Sequence, residues 1–178
     1  MNVLFENVKL GFTNCMTRES DFGGWNYSFI IDKDKFCETV RDTLASQKKP
    51  VWDAKKNTDE FILEKCNAKK RDNVKHEKVQ SMMSDNDILV QVKSKNAPIE
   101  NTKSVRLGRG TTADILIDIF EYSYGKRDFI CVRAHADRYC TVKILNLVPY
   151  IGGFKGFEKE SETLGEINNL ILEDVTSI

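Results

Sequence analysis

With 178 residues, 40% of them hydrophobic and 10% aromatic, the chain is long enough to bury one sizeable core, and one domain is the expectation. No apolar run approaches the roughly 18 residues that cross a bilayer, and the start MNVLFENVKLGF lacks signal-peptide features, so we expect a protein inside a cell without a membrane partner. The formal net charge of +0 argues against a strongly basic nucleic-acid binder, and the 5 scattered cysteines, without a CxxC pair, fit reduced thiols better than a disulfide framework.

Two strands are predicted near the start of the chain. Residues 8–12 (VKLGF) alternate between apolar and polar side chains, which is typical of a half-buried strand. After Gly23 and Gly24, residues 25–31 (WNYSFII) carry aromatic rings at every second position. Trp25, Tyr27 and Phe29 should therefore share one face of the second strand.

An amphipathic helix should follow the second strand. Asp32 or Asp34 can cap it, because a carboxylate accepts the free N–H groups of the first turn. Its apolar stripe has four-residue spacing and its end lies near Gln47; the stripe consists of Phe36, Val40 and Leu44. The polar, cationic stretch from Lys48 to Lys78 has one short apolar patch at residues 61–63, and we interpret residues 48–86 as a long insertion or mobile loop rather than a core element.

Strand patterns dominate the second half of the chain. They cover residues 88–92, 113–124, 129–136 and 140–148, with a turn at residues 125–128. In the longest of these strands Ala113, Ile115, Ile117 and Ile119 form a fully apolar face. This order of elements predicts a mainly β chain, a small antiparallel barrel carrying one helix.

The segments VKLGFTN, WNYSFIIDKDKF, LGRGTTADILIDIFEYSYG and TVKILNLVPY together resemble the phage single-stranded DNA-binding proteins of the T7-like and Enc34-like group. The resemblance covers about three quarters of the chain and omits the cationic insertion and the extreme end. It implies an OB-fold, binding to single strands without strong sequence preference, and a mobile acidic tail that recruits replication proteins. The chain departs from the group at its end, LEDVTSI, which is sparsely acidic and lacks a terminal aromatic residue.

Charge is distributed unevenly along the chain. Residues 158–178 contain six acidic residues and one basic residue, so residues 1–157 carry 26 basic and 21 acidic side chains. A basic body with an acidic tail is expected where a flexible anion competes with nucleic acid for one surface. A charged helix packed on the body fits GEINNLILEDV nearly as well, and both readings stay open. We therefore divide the chain into an OB-like nucleic-acid-binding domain, residues 1–157, and an acidic tail or helix, residues 158–178.

Single-strand binding needs rings on which bases can stack and cations that follow the phosphates. The aromatic candidates are Trp25, Tyr27, Tyr122, Tyr124 and Tyr139, each of which could instead fill the barrel. The cationic candidates are Lys69, Lys70, Arg71, Arg106, Arg109, Lys126, Arg127, Arg133 and Arg138. Arg106 and Arg109 rank above the run at residues 69–71, because Gly108 between them would let the backbone approach a ligand closely.

Catalytic and metal chemistry has weaker support in the sequence. GRGTT lacks the spacing of a phosphate loop and precedes a strand. Cys131, His135 and Cys140, with His76 or Cys66, could bind zinc, but no CxxC pair anchors them. A nucleophilic cysteine beside His135 and a metal-dependent nuclease built on Asp114 and Asp118 are further alternatives.

We therefore predict a non-enzymatic protein without a cofactor that binds single-stranded DNA in phage replication, recombination or repair, in the cytoplasm of an infected cell. Its expected partners are DNA, replication proteins and, in a homodimer, a second copy. The main rival is a viral protein-interaction module that inhibits or recruits a host protein.

Overall fold

The computed structural model describes residues 2–13, 16, 19–47, 57–99, 107–135 and 137–150 of the chain. These ranges form seven strands and three helices, with a short 3-10 turn at Arg71–Asn73. In chain order the elements are β1 (Asn2–Leu10), β2 (Trp25–Asp32), α1 (Lys33–Ser46), α2 (Asp59–Lys65), β3 (Lys69–Lys70), α3 (Glu77–Gln80), β4 (Asp87–Ser94), β5 (Thr112–Tyr124), β6 (Arg127–Arg133) and β7 (Val142–Asn146). None of the helices in these ranges is long and apolar enough to span a bilayer.

Five of the strands close into a barrel. The hydrogen-bonded order is β1, β2, β4, β6 and β5, and β5 pairs with β1 to complete the ring. All these pairs are antiparallel except β4 with β6, which meet in parallel at Lys93 and Arg133. The predicted OB-like barrel is therefore confirmed, with β7 added to β5 and β3 added to β4.

The barrel interior is built by alternation along the strands. Ala113, Ile115, Ile117 and Ile119 of β5 are fully buried, which confirms the apolar face predicted from the sequence. Three rings meet beside this face: Phe5 lies 5.6 Å from Phe29 and 6.0 Å from Phe36, measured between ring centroids. Burying rings of this size supplies a large part of the hydrophobic stabilisation of the core.

The first helix forms as predicted. The Asp32 side chain caps α1 by accepting a hydrogen bond from the Lys35 amide, and this bond, with a second from Asn86, holds the pKa of the Asp32 carboxyl below its ordinary value. The predicted stripe of Phe36, Val40 and Leu44 is buried.

The expectation that residues 48–86 form a mobile loop without core residues is wrong for the described part, residues 57–86; that the segment is an insertion stays a prediction. The helix α2, capped by Thr58, buries Ile62, Leu63 and Cys66 in the main core. β4 pairs with β6 at Lys93, near the C-terminal end of β4. Nearer its N-terminal end, residues 88 and 89 of β4 pair with β3 instead. Residues 57–70 thus fill the seam where β4 and β6 separate.

Residues 74–83 cover a second part of the barrel. Val74, Val79 and Met83 pack on Ile30 of β2 and Leu89 of β4, both of which point away from the barrel interior. The outer surface of β2 and β4 is therefore closed there, whereas most of the outer surface of β5 and β6 has no such cover among the described residues. Residues 158–178 lie outside the described ranges, and their division from the barrel stays a prediction.

Candidate nucleic-acid interface

The outer surface of β5 and β6 presents a continuous row of aromatic and cationic side chains. In the antiparallel register, Tyr124 lies opposite Arg127, Tyr122 opposite Phe129, Phe120 opposite Cys131 and Asp118 opposite Arg133. Side chains on directly opposed residues of one face are neighbours, so these four pairs form one surface about 20 Å long. We call it the β5–β6 face; its members are Asp118, Phe120, Tyr122, Tyr124, Arg127, Phe129, Cys131 and Arg133.

The rings of this face follow one another at contact distance. Tyr122 stacks on Phe129 with ring centroids 5.3 Å apart and an interplanar angle of 20°, and it lies 6.1 Å from Phe120. Tyr124 is 81% exposed and Tyr122 is 44% exposed. Large exposed rings in a contiguous row are uncommon on soluble surfaces and are typical of binding sites. Their flat faces suit stacking with planar ligands.

Cations flank these rings. The Arg133 guanidinium lies 4.6 Å from the centroid of the Phe120 ring, and Lys65 Nζ of α2 lies 5.8 Å from that of Phe129. Arg127 and Lys126 are exposed at the hairpin end, where Gly125 adopts the positive φ of 63° that its tight turn requires. Positive charge therefore reaches both ends of the aromatic row.

A cavity of about 460 Å³ continues this surface toward β1 and β7. Leu4 and Leu116, which lie opposite each other on β1 and β5, form its apolar floor, and Tyr139 on its rim is 73% exposed. The loop that carries Tyr139 is held by hydrogen bonds from the Asn96 side chain to the Arg138 carbonyl and from the Cys140 amide to Ala97. The cavity is lined by Leu4, Asp114, Leu116, Arg138, Tyr139, Cys140, Thr141 and Lys143.

Seven of the predicted binding residues gather on this surface. Tyr122, Tyr124, Lys126, Arg127 and Arg133 lie on the β5–β6 face or its turn, and Arg138 and Tyr139 line the adjoining cavity. Their roles in binding stay a prediction. Arg106 lies outside the described residues.

The structure corrects the expectation for Tyr27. Its ring is 1% exposed inside the barrel, and burial raises the pKa of its hydroxyl well above the ordinary value. A ring in this position has no free face for a base. Trp25, on the same side of β2, lies opposite Ser94 at the end of the barrel and is half-buried, so it stays a candidate.

The four remaining described cationic candidates differ in their surroundings. Arg71 forms ion pairs with Asp72 and Asp85, and Lys69 and Lys70 are exposed on β3, which is hydrogen-bonded to β4 and not to the β5–β6 hairpin. Arg109 is half-buried. The argument that Gly108 leaves room for a ligand is wrong, because a Cβ there would meet Pro149 O at 2.3 Å and Val148 O at 2.6 Å. The glycine serves the packing of the chain on itself.

The structure adds five aromatic or cationic residues that the sequence analysis did not name as candidates. Phe120, Phe129 and Lys65 complete the β5–β6 face, Lys143 lines the neighbouring cavity, and Phe22 is a fully exposed ring beside Gly23. Pairing residues across the predicted turn at residues 125–128 would have placed Phe129 opposite Tyr124 on the same face, whereas the observed register places it opposite Tyr122. Lys65 could not be found this way, because its helix was interpreted as part of a loop.

The geometry gives little support to a metal site, a metal-dependent nuclease or a nucleophilic cysteine. Within the described ranges, no group of three or more His, Cys, Asp or Glu side chains lies close enough to hold a metal ion. The Asp114 carboxylate accepts a hydrogen bond from the Asn7 amide at a bulge in β1, which is a structural role. Burial raises the pKa of the Cys131 thiol, which makes it a poor nucleophile at neutral pH.

Comparisons with known proteins find similarity in fold but not in sequence. No protein-family model matches the sequence, and no curated protein does. The solved single-stranded DNA-binding protein encoded by bacteriophage T7 matches with a TM-score of 0.51 at 11% identity, over 90% of this chain and 94% of that one. The corresponding protein from bacteriophage Enc34 gives 0.46 at 11% identity over 90% and 89%, and its complex with ssDNA gives 0.45 at 10% identity over 87% and 89%. At such identities the T7 match shows a shared fold alone.

Proposed function

We propose that this chain binds single-stranded DNA, without catalysis, by stacking bases on the β5–β6 face and contacting phosphates with the arginines and lysines around it. The observation that carries the proposal is the row of Phe120, Tyr122 and Tyr124 with Arg127 and Arg133 on the same face. Base stacking on such rings is tolerant of sequence because every base has a π-face.

The geometry fits a single strand better than a duplex. In a duplex the base faces are already stacked on each other, so exposed rings gain contacts only with unpaired bases. The adjoining cavity with Arg138, Tyr139 and Lys143 gives a strand that leaves the β5–β6 face a further aromatic and cationic path. The fold shared with a solved phage protein that is named for single-stranded DNA binding supports the same function.

The test compares a fluorescein-labelled dT oligonucleotide with a duplex of equal length by anisotropy at several salt concentrations. The single strand should bind more tightly, and the logarithm of its binding constant should fall linearly with the logarithm of salt, because bound phosphates release counterions. Equal or absent binding of both would contradict the proposal and favour a protein-interaction module.

We further propose that binding serves phage DNA replication, recombination or repair in an infected cell, and that residues 158–178 act as an acidic segment that competes with DNA and contacts replication proteins. The separation of charge supports this, since those residues hold six acidic side chains against one basic. A homodimer remains part of the proposal and is measured by sedimentation with and without oligonucleotide.

A further inference from the structure

The cavity of about 460 Å³ beside the β5–β6 face has an apolar floor that is open to solvent. Leu116 lies on the same side of β5 as Phe120 and Tyr122, because alternate residues of a strand share a face. Leu4 of β1 lies directly opposite Leu116 and is 54% exposed. We call this site the Leu116 cavity. An apolar group that covers its floor would gain free energy by leaving water.

One wall of the Leu116 cavity is fixed by backbone hydrogen bonds. The Leu116 amide donates to the Thr141 carbonyl at 2.9 Å, and the Cys140 amide donates to the Ala97 carbonyl at 3.3 Å. Thr141 lines the cavity and is only 7% exposed, and its hydroxyl oxygen is buried without a hydrogen-bond partner among the described residues. A buried hydroxyl without a partner is costly, so the wall suits a ligand that brings a polar group such as a carbonyl oxygen.

The rim of the Leu116 cavity carries cations and a ring. Arg138 and Lys143 are exposed, and neither forms an ion pair with a described residue. Asp114, the acidic residue of the lining, accepts a hydrogen bond through Oδ1 from the Asn7 amide at 2.9 Å. Tyr139 on the same rim is 73% exposed. Cations beside an exposed ring suit a nucleotide, since its phosphate needs positive charge and its base has a flat face.

We propose that the Leu116 cavity receives one nucleotide of the bound strand and prefers thymine to uracil there. The inference rests on the proposed function and adds a preference for DNA over RNA at a single position. Thymine and uracil differ by the 5-methyl group alone, and both carry carbonyl oxygens that can accept a hydrogen bond. A thymine that lies against Leu4 and Leu116 buries its methyl group on the apolar floor, whereas uracil leaves part of that floor uncovered.

The experiment uses the shortest dT oligonucleotide that retains full affinity for the whole chain, with one 2′-deoxyuridine moved through each position in turn. At one position deoxyuridine should weaken binding about fourfold, the loss expected when one methyl group is no longer buried, and elsewhere by less than about twofold. 5-Bromodeoxyuridine at that position should restore the affinity, because bromine is close to a methyl group in size. This comparison needs no protein variant, so it does not depend on how a variant folds.

Two variants then assign the preference to the cavity. Leu4→Ala removes part of the apolar floor at an exposed position and should reduce the loss caused by deoxyuridine to less than about twofold. Leu145→Ala is the matched control, since it truncates an exposed leucine of β7 that does not line the cavity. It should leave the loss caused by deoxyuridine unchanged.

If deoxyuridine weakens binding by less than about twofold at every position, or if its effect is the same in Leu4→Ala, the inference is wrong, while salt-dependent binding of dT still supports the proposed function. If the dT oligonucleotide does not bind, the proposed function fails and the inference with it.

Discussion

If the proposed function holds, base stacking and phosphate contacts should contribute separately to DNA binding on the β5–β6 face, and substitutions of Tyr124 and Arg127 distinguish the two. The two residues lie directly opposite each other on β5 and β6. Tyr124→Ala should weaken oligo-dT binding by about 1–3 kcal/mol, or about 5- to 150-fold, because one stacked base loses its platform. The slope of log binding constant against log salt should stay unchanged, because no phosphate contact is lost.

Arg127→Ala should produce the opposite result. The salt slope should fall in magnitude by about 0.7, the value for one phosphate contact on a single strand, and the loss of affinity should be similar for every sequence. Lys78→Ala is the matched control, since it removes one positive charge from α3, whose Val79 packs on the closed surface of β2 and β4. It should change neither quantity by a comparable amount.

Stability measurements decide whether these changes act on binding alone. Tyr124 is 81% exposed, so its truncation should alter the free energy of unfolding by less than about 0.5 kcal/mol. Tyr122 is less suitable, because its ring stacks on Phe129. A Tyr124→Ala protein of normal stability that binds oligo-dT within twofold of the unaltered chain would refute the stacking argument for this face.

Three other substitutions or deletions test the structure. Tyr27→Phe removes a buried hydroxyl without a partner among the described residues. It should raise the free energy of unfolding, measured in urea, by about 1 kcal/mol and leave oligo-dT affinity unchanged. A loss of affinity would show that the Tyr27 ring contributes to binding. Ile62→Ala should lower the free energy of unfolding by about 2–5 kcal/mol in the same assay, whereas Glu64→Ala, at an exposed position, should lower it by less than about 0.5 kcal/mol. Equally small effects of both would support the loop interpretation of this segment. Deleting residues 158–178 should tighten oligo-dT binding at low salt and have little effect at high salt, because the competing negative charge is screened; unfolding of the truncated chain would instead indicate a packed helix.

Much of the barrel could be predicted because its strands have regular patterns. Every second residue from 113 to 119 is apolar, and β5 forms over that whole run. The first strand was predicted only over residues 8–12, whereas β1 spans Asn2–Leu10. A bulge between Phe5 and Val8, with Asn7 at a φ of 51°, interrupts the two-residue period there. Residues before the bulge therefore gave no readable alternation.

The helix α2 could not be predicted from the sequence because it is short and rich in charged residues. It has seven residues, and its buried positions Ile62 and Leu63 are adjacent rather than spaced along a stripe. The charged residues around them are those of a solvated loop. What makes the segment structural is a long-range feature, the separation of β4 from β6, which leaves apolar core to be covered. The ion pair between Arg41 of α1 and Asp59 of α2 fixes it further.

Assigning aromatic residues to the interface failed at Tyr27 for a related reason. Alternation shows which side chains share a face, but it does not show which face is solvent-exposed. In β2 both faces are buried: Tyr27 and Phe29 fill the barrel, while Ser28 and Ile30 lie on its outer side and are also covered. On β5 the same pattern leaves one face open.

The proposed function depends on which parts of the barrel's outer surface are covered by other segments of the chain. Residues 74–83 cover the outer surface of β2 and β4 with apolar side chains. The β5–β6 face keeps Tyr122 and Tyr124 exposed although burying such rings would be favourable. The proposed single-stranded DNA partner would give these rings a function, because flat rings with cations at both ends of the row can contact bases and phosphates of the same strand.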